Sequence, residues 1–302
     1  MAVAWLARMA AGSAVPVYPC IGPGMLGTVE RLFLSPAVRR APSPRAAAIL
    51  LVAGRIPDSA QEALDRVHDQ LPHPRATVAW DGSGDAVADL REAWQALLGR
   101  RESEPDRLPD QPPNDWRGKG AHGQGGKGMM GGVPYGRPMA MTADDVRDGL
   151  QLDAYTARFG PFAPMLPPGL ELKITLQGDV IVAAEVSAPP FEQTPRASSP
   201  DTCAARLLRL LGLPLDASRV LDGARPRGLA TLRAIPQGLG AVAQGDDVRA
   251  RLAGWLAGRP GAHQAPALAA LIAGLEWHEA TLVLGSFAPD ALRRACLAGE
   301  HG

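Results

Sequence analysis

The chain has 302 residues, and its 31 basic and 31 acidic side chains cancel to no formal net charge. That balance removes the electrostatic case for nucleic acid or an anionic membrane surface as the main partner. Hydrophobic residues make up 46%, enough to bury one large core or two smaller ones, which excludes wholesale disorder.

The first residues, MAVAWLARMAAGSAVPVYP, have the look of a signal peptide. Arg8 interrupts the apolar run and no basic region precedes it, so a short amphipathic helix is the expectation. The turn-rich segment VYPCIGPGMLG follows, then a helical pattern through Val29, Leu32 and Phe33. Residues 46–53, AAAILLVA, form a continuous apolar run that reads as a buried strand of a parallel sheet. Pro57-Asp58-Ser59 opens a helix whose stripe is Ala60, Ala63, Leu64 and Val67, ending before Pro72. ATVAW, residues 76–80, is a second strand, so the segment is a βαβ unit with a right-handed crossover. The turn DGSGD, residues 81–85, stands where such sheets usually hold a ligand, and a further helix spans residues 85–98.

Residues 100–117 are charged and proline-rich, a surface connection. Gly118 to Pro138 is glycine-rich without a simple repeat and reads as an ordered connecting loop that docks on something. Trp116 just before it, and Lys127, Met129, Met130, Tyr135 and Arg137 within it, are the candidate contact residues, since aromatic, methionine and arginine side chains are enriched at interfaces. Residues 153–168 hold aromatic and proline residues without a clear period. LELKITLQGDVIVAAEV, residues 170–186, is a β-hairpin turning at Gln177-Gly178-Asp179, with Leu172, Ile174 and Leu176 on its buried face. Beyond Asp201 the pattern is helical, including one long helical stretch from Pro266 to about Phe287 and a last short helix from Pro289. The expected fold is an α/β N-terminal domain with a short parallel sheet, flavodoxin-like, over residues 1–100. A Pro/Gly-rich connection over 101–150 leads to an α+β region, hairpin plus helical bundle, over 151–302. No run reaches the roughly 18 to 20 apolar residues of a membrane span, and a cytoplasmic location is expected, peripheral to the inner membrane through partners.

The chemistry-bearing residues are sparse. Cys20, Cys203 and Cys296 are far apart, with no CxxC or cysteine–histidine spacing, so neither zinc nor an iron–sulfur cluster held by this chain alone is expected. AHGQGGKG departs from the Walker loop at Ala121 and Gly128. Asp81 and Asp85 read either as a metal or ribose site or as a polar turn with a helix cap. His278 lies beside Glu276 and Glu279, but neighbours at those spacings do not share its helix face.

Two blocks resemble a known family. PRAAAILLVAGRIPDSAQEALDRVHDQLPHPRATVAWDGSG resembles the small subunit of NADH:quinone oxidoreductase (complex I) and of related membrane-bound nickel–iron hydrogenases. The matching features are Pro44-Arg45, Ala53-Gly54 and Pro72 to Ala79. GPFAPMLPPGLELKITLQGDVIVAAEV resembles the opening of the family's large subunit, from Gly160-Pro161 through the hairpin to Val186. The resemblance implies a fused pair of subunits, with Cys20 matching the first of the small subunit's cluster thiolates. Ser83 and Asp110 stand where further thiolates belong, and Phe162 replaces a histidine of the quinone-site loop. Three functions follow as expectations. The first is a non-catalytic, cluster-free accessory or assembly subunit of such a complex, partnered by its other subunits. The second is an electron-transfer subunit whose ligands a partner completes, and the third a nucleotide or small-molecule binder using the glycine-rich loop.

Overall fold

The computed structural model describes residues 12–99, 103–109, 141–143, 152–224, 230–242, 246–259 and 264–299. The glycine-rich stretch, Trp116, Lys127, Met129, Met130, Tyr135, Arg137, Asp110 and the N-terminal helix expected before residue 12 lie outside them.

In the N-terminal half the described elements run β1 (Val15–Ile21), α1 (Leu26–Leu32), β2 (Val38–Arg40), β3 (Ile49–Ala53), α2 (Gln61–Asp69), β4 (Ala76–Trp80) and α3 (Ala86–Leu98). The four strands form one parallel sheet in the order β2-β1-β3-β4. Side chains alternate across it as strand geometry requires. Val17, Ile49 and Leu51 face the layer of α1 and α3, while Tyr18, Cys20 and Leu50 face α2. Ile49, Leu50 and Leu51 are fully buried, each contributing about 1.5–3 kcal/mol over its exposed state.

β1 corrects part of the turn reading of VYPCIGPGMLG: residues 17–21 belong to a central strand despite Pro16 and Pro19, and the turn is confined to the residues just after Ile21. Its odd-numbered residues bond to β2, as in Val15 N–H to Ala37 C=O and Ala41 N–H to Val17 C=O. Its even-numbered residues bond to β3, as in Ala48 N–H to Pro16 C=O and Gly22 N–H to Ala53 C=O. Pro16 therefore faces β3 before β3 begins, and Pro19 faces β2 after β2 ends. Neither ring removes a ladder donor, which is how prolines are tolerated there.

The exposed edge of β4 is covered by residues 103–109, inside the segment read as a surface connection. The Glu104 N–H bonds Arg75 C=O at 3.1 Å, and its carboxylate accepts from the Thr77 N–H at 2.6 Å and the Thr77 hydroxyl at 2.7 Å. Such covering protects an edge from pairing with another chain.

The second half opens with β5 (Met141–Ala143), β6 (Leu152–Phe159), β7 (Glu171–Gln177) and β8 (Val180–Ala188) in an antiparallel sheet ordered β5-β6-β7-β8. The β7–β8 hairpin is as read from the sequence, turning at Gly178 with φ 62°. Strand β6 falls where no period was visible. Its far end is set by Gly160, at φ 107°, where a Cβ would lie 2.0 Å from the Leu170 carbonyl oxygen.

Helices α4 (Pro200–Leu210), α5 (Pro214–Leu221), α6 (Thr231–Ala234), α7 (Val248–Leu256), α8 (Leu268–Ile272), α9 (Trp277–Gly285) and α10 (Pro289–Gly299) complete the described chain. The single long helix expected after Pro266 is two helices. Gly274, at φ 80°, breaks it, and residues 274–276 pair with β8 through Gly274 N–H to Ile181 C=O and Ile181 N–H to Leu275 C=O. A reciprocal Glu276–Glu279 capping box then restarts the helix.

The halves interlock. The Tyr18 hydroxyl donates to the Phe162 carbonyl at 2.7 Å, Phe162 packs in the α2 layer, and Ala197 packs in the layer of α1 and α3. No helix among the described residues is long and apolar enough to cross a membrane.

Candidate functional site

The sheet order reverses between β1 and β3, and an open α/β sheet keeps its ligands in the crevice outside the carboxyl ends of such strands. Here that crevice is filled by protein. The Met25 side chain crosses the ends of β3 and β4: a Cβ at Gly54 would lie 2.6 Å from Met25 Cγ, and one at Gly82 would lie 3.3 Å from Met25 Cε. The backbone of the loop after β1 is bonded as well. Gly24 N–H donates to Glu192 C=O at 2.9 Å, Leu26 N–H donates to Gln193 Oε1 at 3.1 Å, and Gln193 Nε2 donates to Gly22 C=O. What remains is an open hollow of about 400 Å³ edged by Pro23, Arg55, Pro57 and Asp58.

The described residues do not fit an iron–sulfur cluster. Cys20 is fully buried in the α2 layer, on the other face of the sheet from Met25. Burial pushes its thiol well above the ordinary range, outweighing the pull of Arg107, and thiolates are what iron requires. Cys203 and Cys296 belong to the separate core of the second half. Ser83 donates to Asp81 through both its N–H, at 2.8 Å, and its hydroxyl, at 2.6 Å. Asp85 caps α3 by accepting from the Val87 and Ala88 N–H groups. The DGSGD turn is thus a polar turn and a helix cap, with its carboxylates engaged locally.

His278 is exposed and pairs with Glu276 at 3.3 Å. His68, which the sequence reading did not single out, is fully buried between Asp69, 2.7 Å from Nδ1, and Glu104, 2.9 Å from Nε2. Burial raises the Asp69 carboxyl, but the Arg107 and Leu108 N–H groups and His68 more than offset it and hold it below its ordinary value. Glu104 is likewise raised by burial and lowered further by Thr77 and His68. This network joins α2 to the strip covering β4.

A second cavity lies where the halves meet. It has a volume of about 560 Å³, and its walls carry Glu30 from α1, Arg40 from β2, and Arg206 and Arg209 from α4. Glu30 is 2% exposed, accepts from Arg40 at 3.2 Å and forms an ion pair with Arg209. Arg40 also lies 4.3 Å over the Phe33 ring. Desolvation lowers both Arg40 and Arg209 to about 10, so both stay charged at neutral pH. Arg206 is 8% exposed, and its Nη1 has no hydrogen-bond partner. Pro42, Pro164, Met165 and Leu210 make the rest of the wall apolar. Sequence reasoning missed this cluster, whose members are ordinary surface types spread from residue 30 to residue 209.

No family model, no curated protein and no solved structure matches this chain.

Proposed function

We propose that the chain is a cluster-free, non-catalytic accessory or assembly subunit of an oxidoreductase complex resembling complex I or a membrane-bound hydrogenase. Its glycine-rich stretch and hairpin would serve as docking surfaces, and it would work in the cytoplasm beside the membrane-bound partner. The parallel order β2-β1-β3-β4 supports a flavodoxin-like reading of the first half, and the antiparallel hairpin in the same chain supports the two-block reading.

The observation that carries the cluster-free part is Met25. Its side chain lies across Gly54 and Gly82 in the crevice where the fold would hold a prosthetic group, while Cys20 faces the opposite layer. A subunit that keeps the scaffold and fills its redox crevice retains its surfaces for contact. Affinity purification of the tagged chain from its native host tests the docking part. Co-purification of respiratory or hydrogenase subunits is expected, and recovery of the chain without any such subunit would overturn it.

A further inference from the structure

We infer that the cavity between the halves is a binding site for a phosphate monoester, held by Arg206 together with Arg40 and Arg209. This goes beyond the docking reading and does not depend on it.

Among the described wall residues, three guanidiniums face one carboxylate, leaving an excess of two positive charges. Glu30 engages Arg40 and Arg209, but nothing engages Arg206 Nη1, and the side chain is more than nine-tenths buried. A buried cation without a partner is costly, and the repulsion of Arg40 adds to that cost. A chain that keeps an arginine in such a place gains from it when an anion arrives. Guanidinium forks match the oxygens of phosphate, and two excess charges match a phosphate dianion. The Arg40 Nε, on the same wall, also lacks a hydrogen-bond partner. Pro164, Met165 and Leu210 beside the charges suit the organic part of an ester rather than a bare ion.

The test uses the full-length chain in chloride-free buffer, with calorimetry and thermal melts against inorganic phosphate, phenyl phosphate, and vesicles containing phosphatidic acid. Saturable binding of phenyl phosphate, tighter than inorganic phosphate, is expected, with a rising melting temperature. A response to vesicles alone would overturn the proposal of a soluble ester. Arg206→Met removes the unpaired charge, so the unliganded variant should melt no lower than wild type while binding phenyl phosphate about tenfold to hundredfold more weakly. Glu30→Gln removes the competing carboxylate and should tighten binding, which keeps the proposal testable if Arg206→Met fails to fold. Absence of saturable binding to the wild type, or unchanged binding in a folded Arg206→Met, would overturn it.

Discussion

The hydroxyl of Tyr18 donates a 2.7 Å hydrogen bond to the carbonyl oxygen of Phe162, joining the central strand of the parallel sheet to the loop that enters the antiparallel one. Both residues are buried in the same layer. Burial, with a smaller push from Cys20, raises the phenol well above its usual range, so it stays a donor at any ordinary pH. Tyr18→Phe leaves that carbonyl without its donor and should cost about 1–3 kcal/mol. Urea denaturation should show a lower midpoint with an unchanged slope. An unchanged midpoint would mean that this contact does not tie the halves together.

Gly54 should resist substitution more than an ordinary loop glycine. Its φ of 78° already disfavours a side chain, and a Cβ there meets Met25 Cγ at 2.6 Å. Gly54→Ala is expected to destabilise by about 1–3 kcal/mol. Adding Met25→Ala should recover the steric share but not the backbone share, so the double mutant falls short of additivity. Strict additivity in thermal melts would contradict the packing of Met25 across the crevice.

The network around His68 makes a prediction about acid. Asp69 and Glu104 titrate below their ordinary values when folded. The stability they confer is therefore complete above the unfolded values of about 4 and is lost as pH falls through the lower folded ones. Melting temperature should drop steeply below about pH 4, and Glu104→Gln should flatten that limb while lowering stability near neutrality. A variant with an unchanged acid limb would remove Glu104 from the account.

In the second half, Arg251 is the polar pivot. It is buried, lies 4.1 Å over the Phe287 ring, and donates to Ser286 Oγ at 2.9 Å, Asp246 C=O at 2.7 Å and Gly240 C=O at 2.9 Å. Arg251→Met keeps the volume and removes all three donations. A loss of about 3–5 kcal/mol is expected, read by denaturant melts. A loss under about 1 kcal/mol would mean that these three acceptors find other donors.

The readable parts of the fold were those with a local period. AAAILLVA is an uninterrupted apolar run, ATVAW is a short segment rich in strand formers, and LELKITLQGDVIVAAEV alternates around a Gly-Asp turn, so β3, β4 and the hairpin could be located. β1 was hidden because Pro16 and Pro19 punctuate it, and only the phase of its hydrogen bonds, a tertiary property, explains why they do no harm. The break at Gly274 was hidden similarly, since the leucine stripe runs through it and pairing with β8 decides it. The cavity left no local trace at all. Glu30, Arg40, Arg206 and Arg209 share no motif or local spacing in the sequence, and they line one cavity only where the two halves meet.

Iron and acid-labile sulfide analysis of the purified, anaerobically handled chain, with its electron paramagnetic resonance spectrum, tests the central claim most directly. The account predicts substoichiometric iron and sulfide and no cluster signal, with Cys20→Ala indistinguishable from wild type. A stoichiometric cluster signal that disappears in Cys20→Ala would contradict it.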